Sequence, residues 1–346
     1  MMITLDHANL RETKIETKRS VDSPSSWSPD IETLTRVLGS ELGNSVFHLK
    51  TGKVTVTGRR PSIYSSTAPA EVVTCRFEDG RELHVLCKYG KTDAYSGHGH
   101  WGGVRYEKKV YQNLLTPGDF STPAYYGEYE DPASGRIWLL IEWLAQSVRI
   151  KKVSEEEGLF SAAKWIGEFH RANEQRWTSD ECSFLKRYDA DYYRGWADRT
   201  ALFVRGLQDH CSWVVPLCRR FEELIPVLTD TPLTIIHGEF TPANVLVQNG
   251  TIYPVDWEST AVAAGEIDLA VLIDAWSEKA VERCAAEYRH ARWSAGVPSE
   301  FEQRLQVSRL FVQLRWLGDR EERTTAEMVS WRFKELKKAG ERLGVI

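Results

Sequence analysis

Three oxygen-bearing side chains, set close together in the chain, carry the most chemistry in this sequence. The segment Ile235-Ile236-His237-Gly238-Glu239-Phe240-Thr241-Pro242-Ala243-Asn244-Val245-Leu246-Val247 puts a carboxylate directly after a His-Gly turn and an amide five residues further on. Twelve residues beyond that amide, the run Ile252-Tyr253-Pro254-Val255-Asp256-Trp257-Glu258 delivers a second carboxylate. Phosphoryl transfer needs such a set: one carboxylate to orient and deprotonate an acceptor hydroxyl, and an amide oxygen with a second carboxylate to hold magnesium on nucleotide phosphates. Magnesium takes hard oxygen ligands and keeps several waters, so two protein side chains suffice. A hairpin with polar turn residues is the plain structural alternative for the same stretch.

The pattern His-Gly-Glu-x-x-x-x-Asn followed by Val-Asp-Trp-Glu resembles the catalytic loop and metal-binding strand of aminoglycoside phosphotransferase-like kinases, a superfamily that includes choline kinases. The resemblance implies an α+β, protein-kinase-like bilobal fold, with a small antiparallel β-sheet N-lobe and a larger, mostly helical C-lobe. It implies that Glu239 orients the acceptor, that His237 organises the loop, and that Asn244 and Asp256 bind Mg²⁺, with ATP or GTP as phosphate donor. It also implies a lysine on the phosphates, for which Lys88 in Leu86-Cys87-Lys88-Tyr89 stands in the right place, and Glu107 in the following helix as its ion-pair partner. Glu142-Trp143-Leu144 resembles the hinge, with Glu142 and Leu144 beside the purine edge. Gly167-Glu168-Phe169-His170 resembles a helix motif that supports the catalytic loop, and Gly265-Glu266-Ile267-Asp268-Leu269-Ala270 resembles a structural Asp-Leu-Ala turn. The resemblance spans roughly residues 45–276, with its motifs in kinase order.

Glu239 departs from the pattern, because the family usually has Asp there. A misplacement of 1 Å can cost on the order of 100-fold, yet the loose transition state depends more on positioning and charge than on base strength. The expectation is an active phosphotransferase acting on a small-molecule hydroxyl, in which Glu239→Asp keeps or raises transfer and Asp256→Ala abolishes it. The alternative is a catalytically weak or inactive kinase-fold protein that binds a nucleotide or a natural product. A protein kinase fits less well, since Trp257-Glu258 replaces the Phe-Gly that would follow Asp256.

Two glycine-containing stretches bear on the phosphates. The phosphate loop should join the first two strands, near Gly58 to Ser66, with Ser65 as a candidate contact; an ordinary hairpin loop is equally compatible. Gly97-His98-Gly99-His100-Trp101-Gly102 matches Gly-x-Gly-x-x-Gly but follows Lys88 by nine residues, too late for a kinase phosphate loop and not directly after a strand. It reads as a mobile loop between strand and helix, with His98 and His100 unassigned for want of a third metal ligand.

These groups need elements to hold them. Residues 1–27 read as a polar tail, 28–141 as an N-lobe and 142–346 as a C-lobe. Ser28-Pro29-Asp30 predicts a helix start with Ser28 as N-cap. Val54–Thr57, Glu71–Phe77 and Leu83–Cys87 read as strands, with a turn at Glu78-Asp79-Gly80-Arg81 joining the last two. Arg105 to Leu115 reads as a helix and Arg136 to Trp143 as a strand. Beyond residue 144 the pattern is helical, except from Thr234 to Asp256, where two short strands flank a loop.

Composition narrows the class. The chain of 346 residues carries a net charge of −5, which disfavours nucleic acid as a main partner, and has no apolar stretch long enough to span a bilayer. Six cysteines without a Cys-x-x-Cys pair, and a start without signal-peptide character, predict free thiols in the cytoplasm. Residues 180–230 hold nine acids against seven Lys or Arg, short of the acidity a polycationic aminoglycoside would require. Tyr188, Tyr192, Tyr193, Trp196, Trp316 and Trp331 are candidates for stacking on an acceptor, with core packing as the alternative for each.

Overall fold

A computed structural model describes residues 27–44, 53–62, 68–90, 96–152, 156–207, 211–324 and 326–346; Ser65 and residues 1–26 lie outside them. The first helix, α1 (Ile31–Asn44), is capped by Asp30 and not by Ser28: the Asp30 carboxylate accepts from Thr33 N and Thr33 Oγ1, each at 2.8 Å. An Asp three residues ahead of a free N–H satisfies one of the unpaired donors of the first turn. Ser28 is used elsewhere, accepting a 3.0 Å bond from Arg59 Nη2.

Five antiparallel strands follow: β1 (Thr55–Pro61), β2 (Ala70–Arg76), β3 (Glu82–Gly90), β4 (Tyr125–Glu130) and β5 (Ile137–Glu142), in the order β1-β2-β3-β5-β4. The expected turn at residues 78–81 is present, with Gly80 at φ +85°. Period-two alternation sends Val73, Cys75, Val85, Cys87, Tyr89, Trp138 and Leu140 to one face, where they bury Leu34, Val37, Leu38 and Leu42 of α1. The opposite face presents Leu139 and Ile141 to α2 (Gly103–Val110), which widens into a π-helical turn at Tyr111–Leu115. Lys88 lies on β3 between Ala70 of β2 and Leu139 of β5, which aims it at α2 and the cleft.

Helices dominate the rest. α3 (Glu157–Asn173) packs on α8 (Glu278–Arg292) so closely that a Cβ on Gly167 would meet Tyr288 O at 2.8 Å. α4 (Ala190–Phe203), α5 (Val214–Phe221) and α6 (Ile225–Thr229) share a core with α9 (Phe301–Leu317), whose residues Leu310 to Arg315 are all buried. α10 (Ala326–Arg342) closes the chain, and α7 (Glu266–Leu272) lies under the catalytic segment.

That segment holds three strands where two were expected: β8 (Thr234–Ile236), then β9 (Val245–Gln248) and β10 (Thr251–Pro254) as a hairpin. The turn is Asn249-Gly250, with both residues at positive φ, 52° and 79°. Asn-Gly suits a two-residue hairpin because both central residues tolerate left-handed backbone. Two short sheets complete the lobe: β10-β9-β6, where β6 is Val148–Arg149, and β7-β11-β8, where β7 is Lys186–Arg187 and β11 is Ala261–Ala263. All six cysteines are buried and free. Among the described residues no helix is long and apolar enough to cross a membrane.

Candidate active site

Lys88 links the two lobes. Its Nζ lies 2.8 Å from both Glu107 carboxylate oxygens and 2.9 Å from Asp256 Oδ1. Burial disfavours its charge, but Asp256 and Glu107 outweigh that and hold the ammonium above its ordinary pKa. Asp256 reaches Lys88 from a left-handed backbone at φ 72°, ψ 60°, just after β10. The next residue, Trp257, donates its N–H to Glu107 Oε1 at 3.2 Å, so α2, β3 and the turn that carries Asp256 are tied at one point.

The His237-Gly238-Glu239 turn is held from below. Asp268 on α7 accepts from His237 N at 2.6 Å and Gly238 N at 2.9 Å, and lies 3.1 Å from His170 Nε2. A relay from Arg292 through Tyr288 to His170 Nδ1 sets the imidazole proton on Nε2, facing Asp268. His170 and Asp268 are thus placed as the helix motif and Asp-Leu-Ala turn implied. His237 Nε2 donates to Val255 O at 3.1 Å and its Nδ1 accepts from Glu239 N at 3.3 Å, bridging this turn to the strand before Asp256. Gly238 sits at φ +84°, and a Cβ there would lie 2.2 Å from Ser259 O. Asn244 Nδ2 donates to Glu239 O at 3.1 Å, which leaves its amide oxygen free to act as a ligand.

Glu239 is only slightly exposed. Arg315 of α9 donates from Nη1 to Glu239 Oε1 at 3.3 Å and to His100 Nε2 at 3.0 Å. Burial would raise the Glu239 carboxyl, but its contacts with His100, Arg315 and Trp101 more than offset this and hold it down at about 2. His100 is completely buried, and burial with the Arg315 charge lowers it to about 3, so it is neutral. The bond from Arg315 to Nε2 puts the imidazole proton on Nδ1, which lies 3.0 Å from Tyr188 OH and 2.9 Å from Tyr192 OH. The glycine-rich segment therefore reaches across to the helical lobe and seats its second histidine beside Glu239.

Two further charged groups complete the site. Glu258 is buried, and burial with the nearby Asp256 and Glu107 pushes its carboxyl up to about 8; its Oε1 has no partner. Lys186 on β7 donates to the carbonyls of His100 and Glu258, and burial lowers it to about 8 against the pull of Glu258 and Glu239. A divalent cation fits this chemistry: crowded carboxylates, an orphaned carboxylate oxygen on Glu258 and a free amide oxygen on Asn244 are hard donors. Among the described residues no cluster of three or more His, Cys, Asp or Glu side chains is set to hold a metal alone. A cation here would be shared with phosphate oxygens and water.

At the segment expected to form the hinge, Glu142 N donates to Ala124 O at 2.8 Å, and the Glu142 carboxylate accepts from Ala124 N at 3.1 Å; Leu144 is buried two residues on. Ser65, the candidate phosphate contact, falls outside the described residues. Sequence reasoning missed Arg315, Lys186 and the site role of His100. The signal for Arg315 was a guanidinium inside the apolar run Leu310 to Leu317, where a buried charge demands a partner.

The comparisons agree with this geometry. A model of the phosphotransferase enzyme family, which bears the heading APH, matches residues 103–300, more than half of the chain. The chain belongs to this family. No curated protein matches the phosphotransferase in sequence. Among solved structures, a GDP complex of a mutant aminoglycoside 2′-phosphotransferase superposes with a TM-score of 0.61 at 10% identity, covering 90% of this chain and 98% of that one. Choline kinase from Cryptosporidium parvum Iowa II gives 0.61 at 13% identity, covering 92% and 98%. A putative fructosamine-3-kinase from Haemophilus somnus 129PT gives 0.54 at 14%, covering 88% and 96%. The fold is thus kinase-like and α+β, and the chain is a small-molecule phosphotransferase.

Proposed function

We propose that this phosphotransferase moves the γ-phosphoryl group of ATP or GTP, with Mg²⁺, to a hydroxyl of a small molecule. The observation that carries this reading is the Lys88 ammonium seated 2.8 Å from Glu107 and 2.9 Å from Asp256, with Glu258 feeling the charges of both Asp256 and Glu239. Lys88 would neutralise the α- and β-phosphates, and Glu107 keeps it extended into the cleft. Asp256, Asn244 and Glu258 would hold Mg²⁺, which supplies charge neutralisation on the transferring phosphate. Glu239 accepts the hydrogen bond of the acceptor hydroxyl and takes its proton as the new O–P bond forms and the bond to the bridging oxygen of the nucleotide diphosphate breaks.

A carboxylate held at about 2 is a weak base, and the loose transition state tolerates that. Its work is orientation: a fixed lone pair at the attacking oxygen and a fixed negative charge beside it. The neighbours support a nucleotide donor, since one is a GDP complex and another, spectinomycin phosphotransferase, was obtained with ADP and spectinomycin.

Calorimetric titration of non-hydrolysable ATP and GTP analogues, with and without Mg²⁺, tests the reading. Magnesium-dependent binding that Asp256→Ala removes is the expected result. Absence of binding to both analogues, or binding indifferent to magnesium and to Asp256, would overturn it.

A further inference from the structure

Beside Glu239 lies a stack of cations and indoles that the transfer reaction does not itself require. The Arg315 guanidinium carbon sits 4.5 Å from the Trp316 ring, and that of Arg332 sits 4.6 Å from the same ring and 4.1 Å from the Trp331 ring. The series leads from the buried catalytic carboxylate out to Trp331, whose side is exposed at the surface. Guanidinium planes held against indoles are fixed flat, with their N–H edges presented for in-plane acceptors.

Arg315 is 1% exposed, and only half of its fork is used. Nη1 serves Glu239 and His100, whereas Nη2 is buried with no partner among the described residues. The guanidinium is rigid and planar, so Nη2 is held beside the nitrogen that meets the catalytic carboxylate. A buried N–H of a charged group left without an acceptor is costly, and a ligand or an ordered water can supply the acceptor.

The charge balance points the same way. Arg315, Arg332 and Lys186 bring three cations to this side of the site. Glu239 and Asp274 answer two of them: Asp274 pairs with Arg332 at 3.3 Å, while the Lys186 ammonium meets backbone carbonyls. His100 adds no charge, being neutral. A cationic amino group brought next to Glu239 would face the buried Arg315 charge at close range, in a medium that screens it poorly.

We infer that the acceptor carries an anionic group, a carboxylate or a phosphate, close to the hydroxyl that is phosphorylated, and that the free edge of Arg315 binds it. This rests on the phosphotransferase reading of Glu239 as the acceptor-side carboxylate. Arg315 is then a specificity residue, which rejects cationic acceptors and pairs with anionic ones. In the free protein Nη2 is buried, so an anion reaches it as the side chains around it move aside.

The test is ligand binding by calorimetry on the full chain with the nucleotide site filled by Mg²⁺ and a non-hydrolysable ATP analogue. The probes are matched sets: glycerate with glycerol and choline, and glucuronate and glucose 6-phosphate with glucose and glucosamine. At least one anion should bind tenfold or more tightly than its neutral and cationic partners, the glucuronate and glucose 6-phosphate arms separating carboxylate from phosphate. Arg315→Met should remove that advantage, and Arg315→Lys should keep part of it. Arg332→Gln, which does not touch Glu239, should reduce it and serves if Arg315→Met does not fold. Equal binding across each set, preference for choline or glucosamine, or an advantage that survives Arg315→Met would overturn the inference. Failure of the ATP analogue to bind would instead defeat the phosphotransferase reading of the site.

Discussion

The ion pair between Arg315 and Glu239 sets the electrostatics of the acceptor side, and its strength can be read without knowing the acceptor. The Glu239 carboxyl falls from an ordinary 4.5 to about 2, which at 1.36 kcal/mol per pH unit is roughly 3 kcal/mol of preference for the charged form in the folded protein. A depressed folded-state value stabilises the fold fully above pH 4.5 and loses that contribution as the pH falls toward 2. Denaturant unfolding of the wild type, Glu239→Gln, Arg315→Met and the double variant should therefore give a favourable coupling at pH 7 that is a share of this preference, since His100 and Trp101 also hold the carboxyl down. Either single change leaves a buried partner uncompensated, so each costs more than its share of the double change. Between pH 4.5 and 3 the wild type should lose about 2 kcal/mol relative to Glu239→Gln, at close to 1.4 kcal/mol per pH unit. Parallel stability of the two proteins across that window, or a coupling below about 0.5 kcal/mol at pH 7, would refute the assignment of Arg315 as the group that holds Glu239.

Further outcomes follow from the same geometry. Glu239→Asp withdraws the carboxylate by one C–C bond, about 1.5 Å, which breaks the 3.3 Å bond from Arg315. Transfer to whatever acceptor is established should then drop tenfold or more, reversing the expectation that Asp restores the family norm; unchanged or faster turnover would show that the pair does not position the carboxylate. Lys88→Met should weaken binding of the Mg²⁺–ATP analogue by at least tenfold in calorimetry, because the bridge between Glu107 and Asp256 is lost. Asp268→Ala leaves two backbone N–H groups and His170 without their acceptor, and should cost about 3–5 kcal/mol in denaturant unfolding. A loss under 1 kcal/mol would mean the turn is held elsewhere. Gly238→Ala should disable transfer and lower the melting temperature together, since the added Cβ meets the Ser259 carbonyl at a backbone angle that L residues avoid.

The sequence by itself determined whatever depends on neighbours along the chain. The spacing of His237, Glu239, Asn244 and Asp256 was readable because one turn and one hairpin carry all four, and the strand ending in Lys88 was readable because period-two alternation is local. The same locality explains one error. Ser28 and Asp30 both suit a helix cap, and Asp30 serves because the helix starts at Ile31, while the Ser28 hydroxyl meets Arg59 from a strand 31 residues on. The third strand of residues 234–256 is, by contrast, a local feature, set by the hairpin turn at Asn249-Gly250. Only the tertiary structure decided how the acceptor side is charged. Arg315 meets Glu239 across 76 residues and His100 across 215, through a helix whose apolar periodicity says that the position is buried but not what it faces. Composition over residues 180–230 reported a near balance of charge, because the cations that matter, Arg315 and Arg332, come from helices far along the chain. Long-range packing selects which few charges meet in a dry site, and no count along the chain contains that selection.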